Sequence, residues 1–254
     1  MRVSPEAAER STYGIREARI DLAAAHRLAD RDGLSEGTWN HLSLSVPGDP
    51  GRMLVSPADV HFSLVRACDL SLLGPDVSEV EAIGGRDWTA YCLHYPIHQL
   101  HPEADCVLHV HPPYATAISM MKDGRLEMAS QNAMLLWNRI AYTEEYDGAE
   151  PLGLAAGEQL AETLGDKHIL FMRNHGVLVV GRTVASAYWD LYLLERACLL
   201  QFIASSSGGQ LAIASDEVCA LAAPAGIDET MTRNHFEAMK RVLDREQSDY
   251  AQLS

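Results

Sequence analysis

Hydrophobic and polar positions repeat with two different periods along this chain. Apolar residues spaced three or four apart predict helices over residues 15–32, 88–100, 114–121, 152–164, 184–205 and 228–246. Short β-branched runs predict strands over residues 42–46, 53–55, 105–111 and 140–142, and on both sides of residues 174–176. Residues 66–86 are polar and rich in turn-forming residues, and we expect short strands and a loop there. Hairpins of strands with helices between them favour an α/β fold of the α+β kind.

The length and the breaks in this pattern predict one main domain. The chain has 254 residues, enough to bury a substantial core. We expect a flexible N-terminal arm over residues 1–12 and the main domain over residues 13–205. Residues 206–254 are predicted to form a linker and a C-terminal helix, which packs on the domain or on a neighbouring subunit.

Composition argues against several classes of protein. The net charge of −15 opposes nucleic-acid binding, because Lys and Arg are needed to neutralise phosphates. No apolar run approaches the ~18 residues of a membrane span, and the N-terminus has no apolar signal region. The five cysteines form no C-x-x-C pair and are predicted to be reduced thiols. We therefore expect a cytoplasmic protein without membrane contact.

Two histidines on the strand predicted over residues 105–111 are the first candidate functional residues. His109 and His111 are two positions apart, so their side chains project from the same face of a strand, while Leu108 and Val110 face the opposite side. Two imidazoles fixed in this way supply two of the three protein ligands of a catalytic metal site. The alternative interpretation is a pair of ordinary surface or core histidines.

A third histidine lies far along the chain in a predicted strand–turn–strand segment. His175 stands between Asn174 and Gly176, two residue types that tolerate a positive φ, and apolar runs flank all three. A histidine beside a tight turn is well placed to bind a metal ion. By itself, however, it fits a hydrogen-bonded turn histidine equally well.

Taken together, the two histidine segments resemble the class II aldolase/adducin family, which includes sugar-phosphate aldolases such as fuculose-phosphate aldolase. Residues 39–43 stand where that family has its Gly-Asn-x-Ser loop, and residues 55–57 stand where it has a strand that ends in Ser/Thr-Pro. The resemblance covers about residues 15–203. It implies a three-layer α/β/α sandwich around a mostly antiparallel sheet, and a homotetramer with active sites at subunit interfaces.

The resemblance also implies the metal ligands, which are His109, His111 and His175. Zn²⁺ is the expected ion, with Mn²⁺, Fe²⁺ and Co²⁺ as alternatives. His41, His101 and His168 are expected to have no ligand role. Family members cleave or rearrange carbon–carbon bonds through a metal-stabilised enolate, by retro-aldol cleavage, epimerisation, dehydration or decarboxylation.

The chain departs from the aldolase pattern at the phosphate and proton-transfer positions. Residues 88–90 replace the Ser-Ser-Glu stretch, unless Glu79 or Glu81 has moved in through an insertion. Trp39 replaces a loop glycine, and Asp59 would repel a phosphate. Residues 130–131 stand near the position of the aldolase tyrosine acid. These losses favour a substrate without phosphate and a reaction that needs no base to start.

Decarboxylation meets both conditions, so we predict a metal-dependent decarboxylase of a small anionic substrate, namely a hydroxylated carboxylic acid (aromatic or aliphatic) or an oxo carboxylic acid. The candidate proton donors are Tyr114 and His94. Arg173 could pair with a substrate carboxylate, and Asn40 and Ser56 could bind polar substrate groups. The alternatives are an aldolase for a non-phosphorylated hydroxy-oxo compound, a non-catalytic adducin-like scaffold and an iron-dependent oxygenase.

Overall fold

The computed structural model describes residues 14–146 and 153–254. The predicted arm over residues 1–12 lies outside the described residues, as does the first position of the helix predicted over residues 152–164. Within the described ranges, no helix is long and apolar enough to cross a membrane.

The described residues contain one sheet of seven strands. Its spatial order is β3-β2-β1-β4-β7-β6-β5, and every neighbouring pair is antiparallel except the parallel pair β5 and β6. The predicted mostly antiparallel sheet is therefore confirmed. The strands are β1 (His41–Val46), β2 (Asp49–Val55), β3 (Ser71–Leu73), β4 (Cys106–Val110), β5 (Ile140–Tyr142), β6 (Ile169–Met172) and β7 (Gly176–Gly181).

Helices connect these strands and continue after the last of them. They are α1 (Ile15–Arg31), α2 (Val77–Ile83), α3 (Gly85–Leu100), α4 (Pro113–Ser119), α5 (Gln131–Leu135), α6 (Leu154–Leu164), α7 (Val184–Ser206), α8 (Asp216–Ala222) and α9 (Glu229–Glu246). Short 3₁₀ turns occupy Phe62–Leu64, Ala223–Ile227 and Ser248–Ala251. The long helices lie close to the bounds that the apolar spacing predicts.

Helices cover both faces of the sheet. On one face, apolar side chains of α1, α7 and α9 pack with those of the central strands in the largest buried cluster. On the other face, α3 and α6 pack against alternate residues of β4, β6 and β7. The predicted three-layer α/β/α sandwich is confirmed, and it explains why the central strands have apolar residues on both faces.

Strand β4 lies at the middle of the sheet and is buried along its whole length. Cys106, Leu108 and Val110 join the large cluster, whereas Val107 faces the layer of α3 and α6. Each fully buried apolar side chain of this size stabilises the fold by about 1.5–3 kcal/mol relative to its exposed state. A shift of the strand register by one residue would turn these apolar side chains to the opposite face of the sheet. The packing of these side chains therefore fixes the direction of His109.

Several short helices were not predicted. Residues 77–83 form α2 where we expected a loop, and the side chain of Asp76 caps it by accepting hydrogen bonds from two backbone amides. Residues 216–222 form α8 within the expected linker, with the Ser215 side chain as its cap. Seven residues are too few for an apolar repeat to stand out.

Candidate metal centre

The end of β4 and the turn between β6 and β7 bring three imidazoles together. Val110 of β4 pairs with Val177 of β7, so the turn before β7 lies beside the end of β4. His109, His111 and His175 each offer a nitrogen to this point, and these atoms all lie within 4.8 Å of one another. The three nitrogens are therefore close enough to share one ion, although His109 and His175 are 66 positions apart in the sequence.

The local sequence of the turn explains how His175 reaches this point. Asn174 adopts a left-handed conformation with φ of 54°, which Asn tolerates better than most residues. At Gly176, a Cβ atom would lie 2.6 Å from both Cδ2 of His111 and the carbonyl oxygen of Val110. The Asn-His-Gly sequence therefore lets two backbone segments approach closely enough for the imidazoles to converge.

Hydrogen bonds orient two of the three rings. Nδ1 of His109 donates to the carbonyl oxygen of Val177 at 3.1 Å, and Nδ1 of His111 donates to Oε2 of Glu36 at 2.6 Å. We assign these tautomers from the hydrogen-bond network. Both Nε2 lone pairs then point toward the cluster, where the two atoms lie 3.2 Å apart. Two nitrogens bound tetrahedrally to Zn²⁺ at 2.0–2.1 Å would lie about 3.3 Å apart, so this pair fits the ion.

The surroundings hold two of the imidazoles, those of His109 and His175, in the neutral form. Burial, followed by the neighbouring His41, lowers the pKa of His109 well below its ordinary value. Burial, followed by the charge that His111 would carry, lowers the pKa of His175 to about 4. A neutral imidazole is the form that binds a metal, so no proton has to leave these two rings at pH 7.

A fourth imidazole, that of His41, lies against the cluster. His41 in β1 is directly opposite His109 in β4, and their ring centroids are 4.9 Å apart. Our prediction that His41 has no ligand role stays a prediction. Its place beside the cluster depends on the β1–β4 register, which the sequence does not indicate.

His41 begins a buried chain of hydrogen bonds that leads away from the cluster. His98 donates from Nδ1 to the carbonyl oxygen of Ala104 at 2.5 Å and accepts from the Ser43 hydroxyl at 2.7 Å. Ser43 in turn accepts from Nδ1 of His94 at 2.6 Å, and Nε2 of His94 accepts from His41 at 2.8 Å. His94 is thus fully buried behind His41 and does not reach the three imidazoles itself. Its predicted role as proton donor stays a prediction.

Tyr114, the other candidate proton donor, lies on the other side of the sheet. Its ring packs against the largest buried cluster, with its centroid 5.6 Å from that of Phe202 on α7. Its backbone amide donates to Glu195 at 2.9 Å, which holds the start of α4 against α7. The structure therefore does not bring the Tyr114 ring to the imidazole cluster.

Arg173 also differs from the sequence expectation. Strand β6 ends at Met172, so the alternation that would place Arg173 on the face of His175 does not extend to it. Its guanidinium donates to the carbonyl oxygens of Met121 and Lys122 at 2.7 and 2.9 Å. In this arrangement Arg173 fixes the segment after α4, and its predicted contact with a substrate carboxylate stays a prediction.

A cleft opens next to His41, and Asn40 supplies its most distinctive polar group. The Asn40 side chain is buried, with 4% exposure, and Oδ1 accepts a hydrogen bond from the backbone amide of Glu36 at 2.5 Å. Its Nδ2 group is buried without a partner among the described residues. A bound molecule with an acceptor oxygen would satisfy it. The cleft is lined by Thr38, Asn40, His41, Ser56, Pro57, Ala58, Val60 and Ala90.

Ser56 lines the same cleft, but its hydroxyl is used within the protein. It accepts from the backbone amide of Leu42 at 2.7 Å and donates to Nε2 of His26 at 2.6 Å. His26 in turn donates from Nδ1 to the carbonyl oxygen of Leu22. Ser56 therefore ties α1 to β1, and its predicted contact with substrate stays a prediction.

Acidic groups lie near the cleft, and none of its lining residues is Lys or Arg. Asp59 follows the lining residue Ala58, and Asp87 lies one helical turn before the lining residue Ala90. Burial, followed by the charge of Asp59, raises the pKa of Asp87 above its ordinary value. Glu79 and Glu81, which we considered as displaced acids, have exposed side chains on α2.

Glu36 also belongs to this site, although no pattern in the sequence predicts it. Glu36 lies in the loop before β1, 75 residues from the imidazole that it contacts. Carboxylate partners of metal-binding histidines are common, but no spacing in the sequence connects the two. Only the pairing of β1 with β4 brings them together.

A three-layer α/β/α fold with a three-histidine cluster at the end of its central strand defines the class of this protein. Residues 20–202 match the family model of the class II aldolase and adducin N-terminal domain, and the chain belongs to that family. The resemblance noted from the sequence is thereby confirmed.

Individual relatives agree with this assignment. The meiotically up-regulated gene 14 protein of Schizosaccharomyces pombe is 32% identical over 190 residues, which are 73% of this chain and 72% of that protein. Human beta-adducin is 34% identical over 200 residues, which are 77% of this chain but only 27% of beta-adducin. The crystal structure of an aldolase II superfamily protein from Pseudomonas syringae has a TM-score of 0.79 and 30% identity, and the match covers 96% of this chain and 100% of that one.

Proposed function

We propose that this chain is a divalent-metal-dependent carbon–carbon lyase, and that its reaction is the decarboxylation of a non-phosphorylated hydroxylated or oxo carboxylic acid. The observation that carries the proposal is the convergence of three imidazole nitrogens within 4.8 Å beside a cleft. His109, His111 and His175 would hold the ion. A divalent ion in this place would withdraw electron density from a coordinated substrate oxygen.

The character of the cleft supports a substrate without a phosphate group. Asp59 and Asp87 carry like charge to a phosphate, and the lining residues Ala58 and Ala90 offer it no side-chain donor. Asn40 supplies a single amide donor, which suits one hydroxyl or carbonyl oxygen. A carboxylate at the other end of the substrate would lie next to the imidazole cluster.

Decarboxylation needs little proton transfer at its first step. The bond between the carboxylate carbon and its neighbour breaks, carbon dioxide leaves, and the electron pair of that bond stays on the neighbouring carbon. That carbon then takes up one proton, from water or from a side chain. The protein's contribution is to orient the carboxylate and to exclude competing water, which the buried setting of His109 and His41 favours.

The second candidate is an aldolase for a non-phosphorylated hydroxy-oxo compound, because the family includes proteins that bear the aldolase name. The third is a non-catalytic scaffold, which the identity of 34% to human beta-adducin favours.

We also propose that the protein forms a homotetramer. Large apolar side chains that subunit contacts could cover are exposed near the end of α7 and on α8, among them Leu200, Phe202, Ile203 and Leu221. Light scattering after size-exclusion chromatography would measure the number of subunits.

The test begins with elemental analysis of the purified protein, followed by a screen of hydroxylated and oxo acids in which carbon dioxide and aldehyde are both measured. We expect bound Zn²⁺ or another divalent ion, release of carbon dioxide, and loss of both in a His109→Ala variant. An exposed substitution on α6, Glu162→Gln, serves as the control. Aldehyde without carbon dioxide would favour the aldolase, and no metal and no turnover would favour the scaffold. Full activity in His109→Ala would remove the basis of the metal assignment.

A further inference from the structure

We infer that Glu36 is a positioning residue for this centre, which sets the direction of His111 toward the ion and is itself held by Asn40. The inference rests on the proposed function, because it requires that the three imidazoles bind a metal. Neither Glu36 nor its link to Asn40 follows from the three ligands themselves.

The contact between Glu36 and His111 is short and directional. Oε2 of Glu36 lies 2.6 Å from Nδ1 of His111, a distance typical of a charge-assisted hydrogen bond. An imidazole ring occupies nearly the same space when it is flipped. A ring without such a partner can therefore flip and present Nδ1 in place of Nε2. With Nδ1 occupied as a donor, His111 offers its Nε2 lone pair to the cluster.

The burial of the two partners argues for orientation and against a role in folding stability. The side chain of His111 is 11% exposed, whereas that of Glu36 is 64% exposed. A hydrogen bond to a carboxylate that is largely in solvent is screened and contributes little to stability. The carboxylate nevertheless fixes one nitrogen of a nearly buried ring, and this effect does not depend on a large interaction energy.

Asn40 fixes the loop from which Glu36 reaches the ring. Its Oδ1 accepts from the backbone amide of Glu36 at 2.5 Å, and its own side chain is 4% exposed, so the loop is anchored to the buried start of β1. Asn40 also lines the cleft, and its Nδ2 group is buried without a partner among the described residues. One side chain thus lies between the cleft and the residue that orients a metal ligand.

The experiment compares the zinc affinity of metal-stripped wild type, Glu36→Ala, Glu36→Gln and the control Glu162→Ala, by competition with a chromogenic chelator. We expect Glu36→Ala to weaken Zn²⁺ binding by about tenfold, at the lower end of the range for such partners because Glu36 is exposed. Glu36→Gln keeps an acceptor oxygen and should weaken it less. The control should match wild type, and the melting temperatures of the metal-free proteins should agree.

Two further measurements separate positioning from a general structural effect. The visible absorption spectrum of the Co²⁺-loaded protein reports ligand geometry, and we expect it to change in Glu36→Ala and to return toward wild type in Glu36→Gln. Asn40→Ala should weaken Zn²⁺ binding too, and the double variant should be no weaker than Glu36→Ala, because both act through one contact.

The results distinguish failure of this inference from failure of the proposed function. Wild-type zinc affinity and an unchanged Co²⁺ spectrum in Glu36→Ala would overturn the positioning role and leave the metal centre intact. A wild-type protein that binds no Zn²⁺ or Co²⁺ would overturn both. Equal loss in Glu36→Ala and in the control Glu162→Ala would also overturn the positioning role.

Discussion

At the scale of single residues, close approach of the backbone matters as much as the ligands do. Gly176 begins β7 beside the ring of His111, and a Cβ atom there would lie 2.6 Å from Cδ2 of that ring. A Cβ atom there would also lie 2.6 Å from the carbonyl oxygen of Val110, which belongs to the buried, paired backbone of the sheet, so both the ring and the local backbone would have to shift. The imidazole cluster therefore depends on a residue without a side chain.

We predict that Gly176→Ala displaces His111, weakens Zn²⁺ binding and destabilises the fold by about 1–3 kcal/mol, as expected for an added atom in a packed site. Chelator competition and urea denaturation measure the two effects. Gly74→Ala is the matched control, because a Cβ at Gly74 would meet nothing within 4 Å. A Gly176→Ala variant that binds zinc as tightly as wild type would contradict the proposed dependence on this approach.

At the scale of elements, a buried ion pair joins α7 to the start of β5. Asp190 on α7 is 1% exposed, and it accepts two hydrogen bonds from the guanidinium of Arg139, at 2.8 and 2.5 Å. Arg139 precedes Ile140, the first residue of β5, so the pair fixes the edge of the sheet against the helix layer. A bidentate arrangement of this kind is specific in direction as well as strong.

Removal of one partner should cost far more than removal of an exposed pair. We predict that Asp190→Asn lowers the free energy of unfolding by about 3–5 kcal/mol, because the Arg139 charge stays buried without its counter-ion. Glu144→Gln, which breaks the exposed pair between Arg125 and Glu144, should change it by less than about 1 kcal/mol. Urea denaturation of both variants measures the difference, and equal effects would argue against a buried clamp.

At the scale of the whole molecule, several buried or half-buried histidines are held in the neutral form. Burial is the largest cause that lowers the pKa values of His26, His98, His168 and His175 to about 4. Each binds a proton near its ordinary pKa of 6.5 in the unfolded chain, but only near 4 in the folded one. Between these values the unfolded state therefore holds more protons, and acid favours unfolding.

We predict that the free energy of unfolding of the metal-free protein falls as pH drops from 6.5 toward 4, by up to about 1.4 kcal/mol per pH unit for each such histidine. Asp190, whose pKa burial raises to about 6, titrates in the opposite sense and offsets part of the slope. Urea denaturation at a series of pH values measures it. His26→Gln should reduce the slope, whereas His61→Gln, at a side chain that is 43% exposed, is the control. A flat profile would contradict the neutral, buried state of these rings.

The long, periodic elements could be predicted because their information is local. The apolar spacing over residues 184–205 and the alternation over residues 105–111 both correspond to elements of the structure. The apolar pattern did not predict short helices such as α2 and α8, because each depends on a single cap and on contacts with distant elements. The direction of the Arg173 side chain could not be predicted from strand alternation, because β6 ends one residue before it.

The sequence by itself determined the family, because the His-x-His strand and the Asn-His-Gly turn are local features, and the resemblance to that family implied the three-layer fold and the three imidazoles. Only the tertiary structure placed His41 opposite His109, Glu36 against His111, Tyr114 against the largest buried cluster, and Arg173 against the segment after α4. Those relations depend on strand register and on contacts between segments far apart in the chain. No local pattern carries that information, since the free energy that selects it comes from packing of the whole molecule.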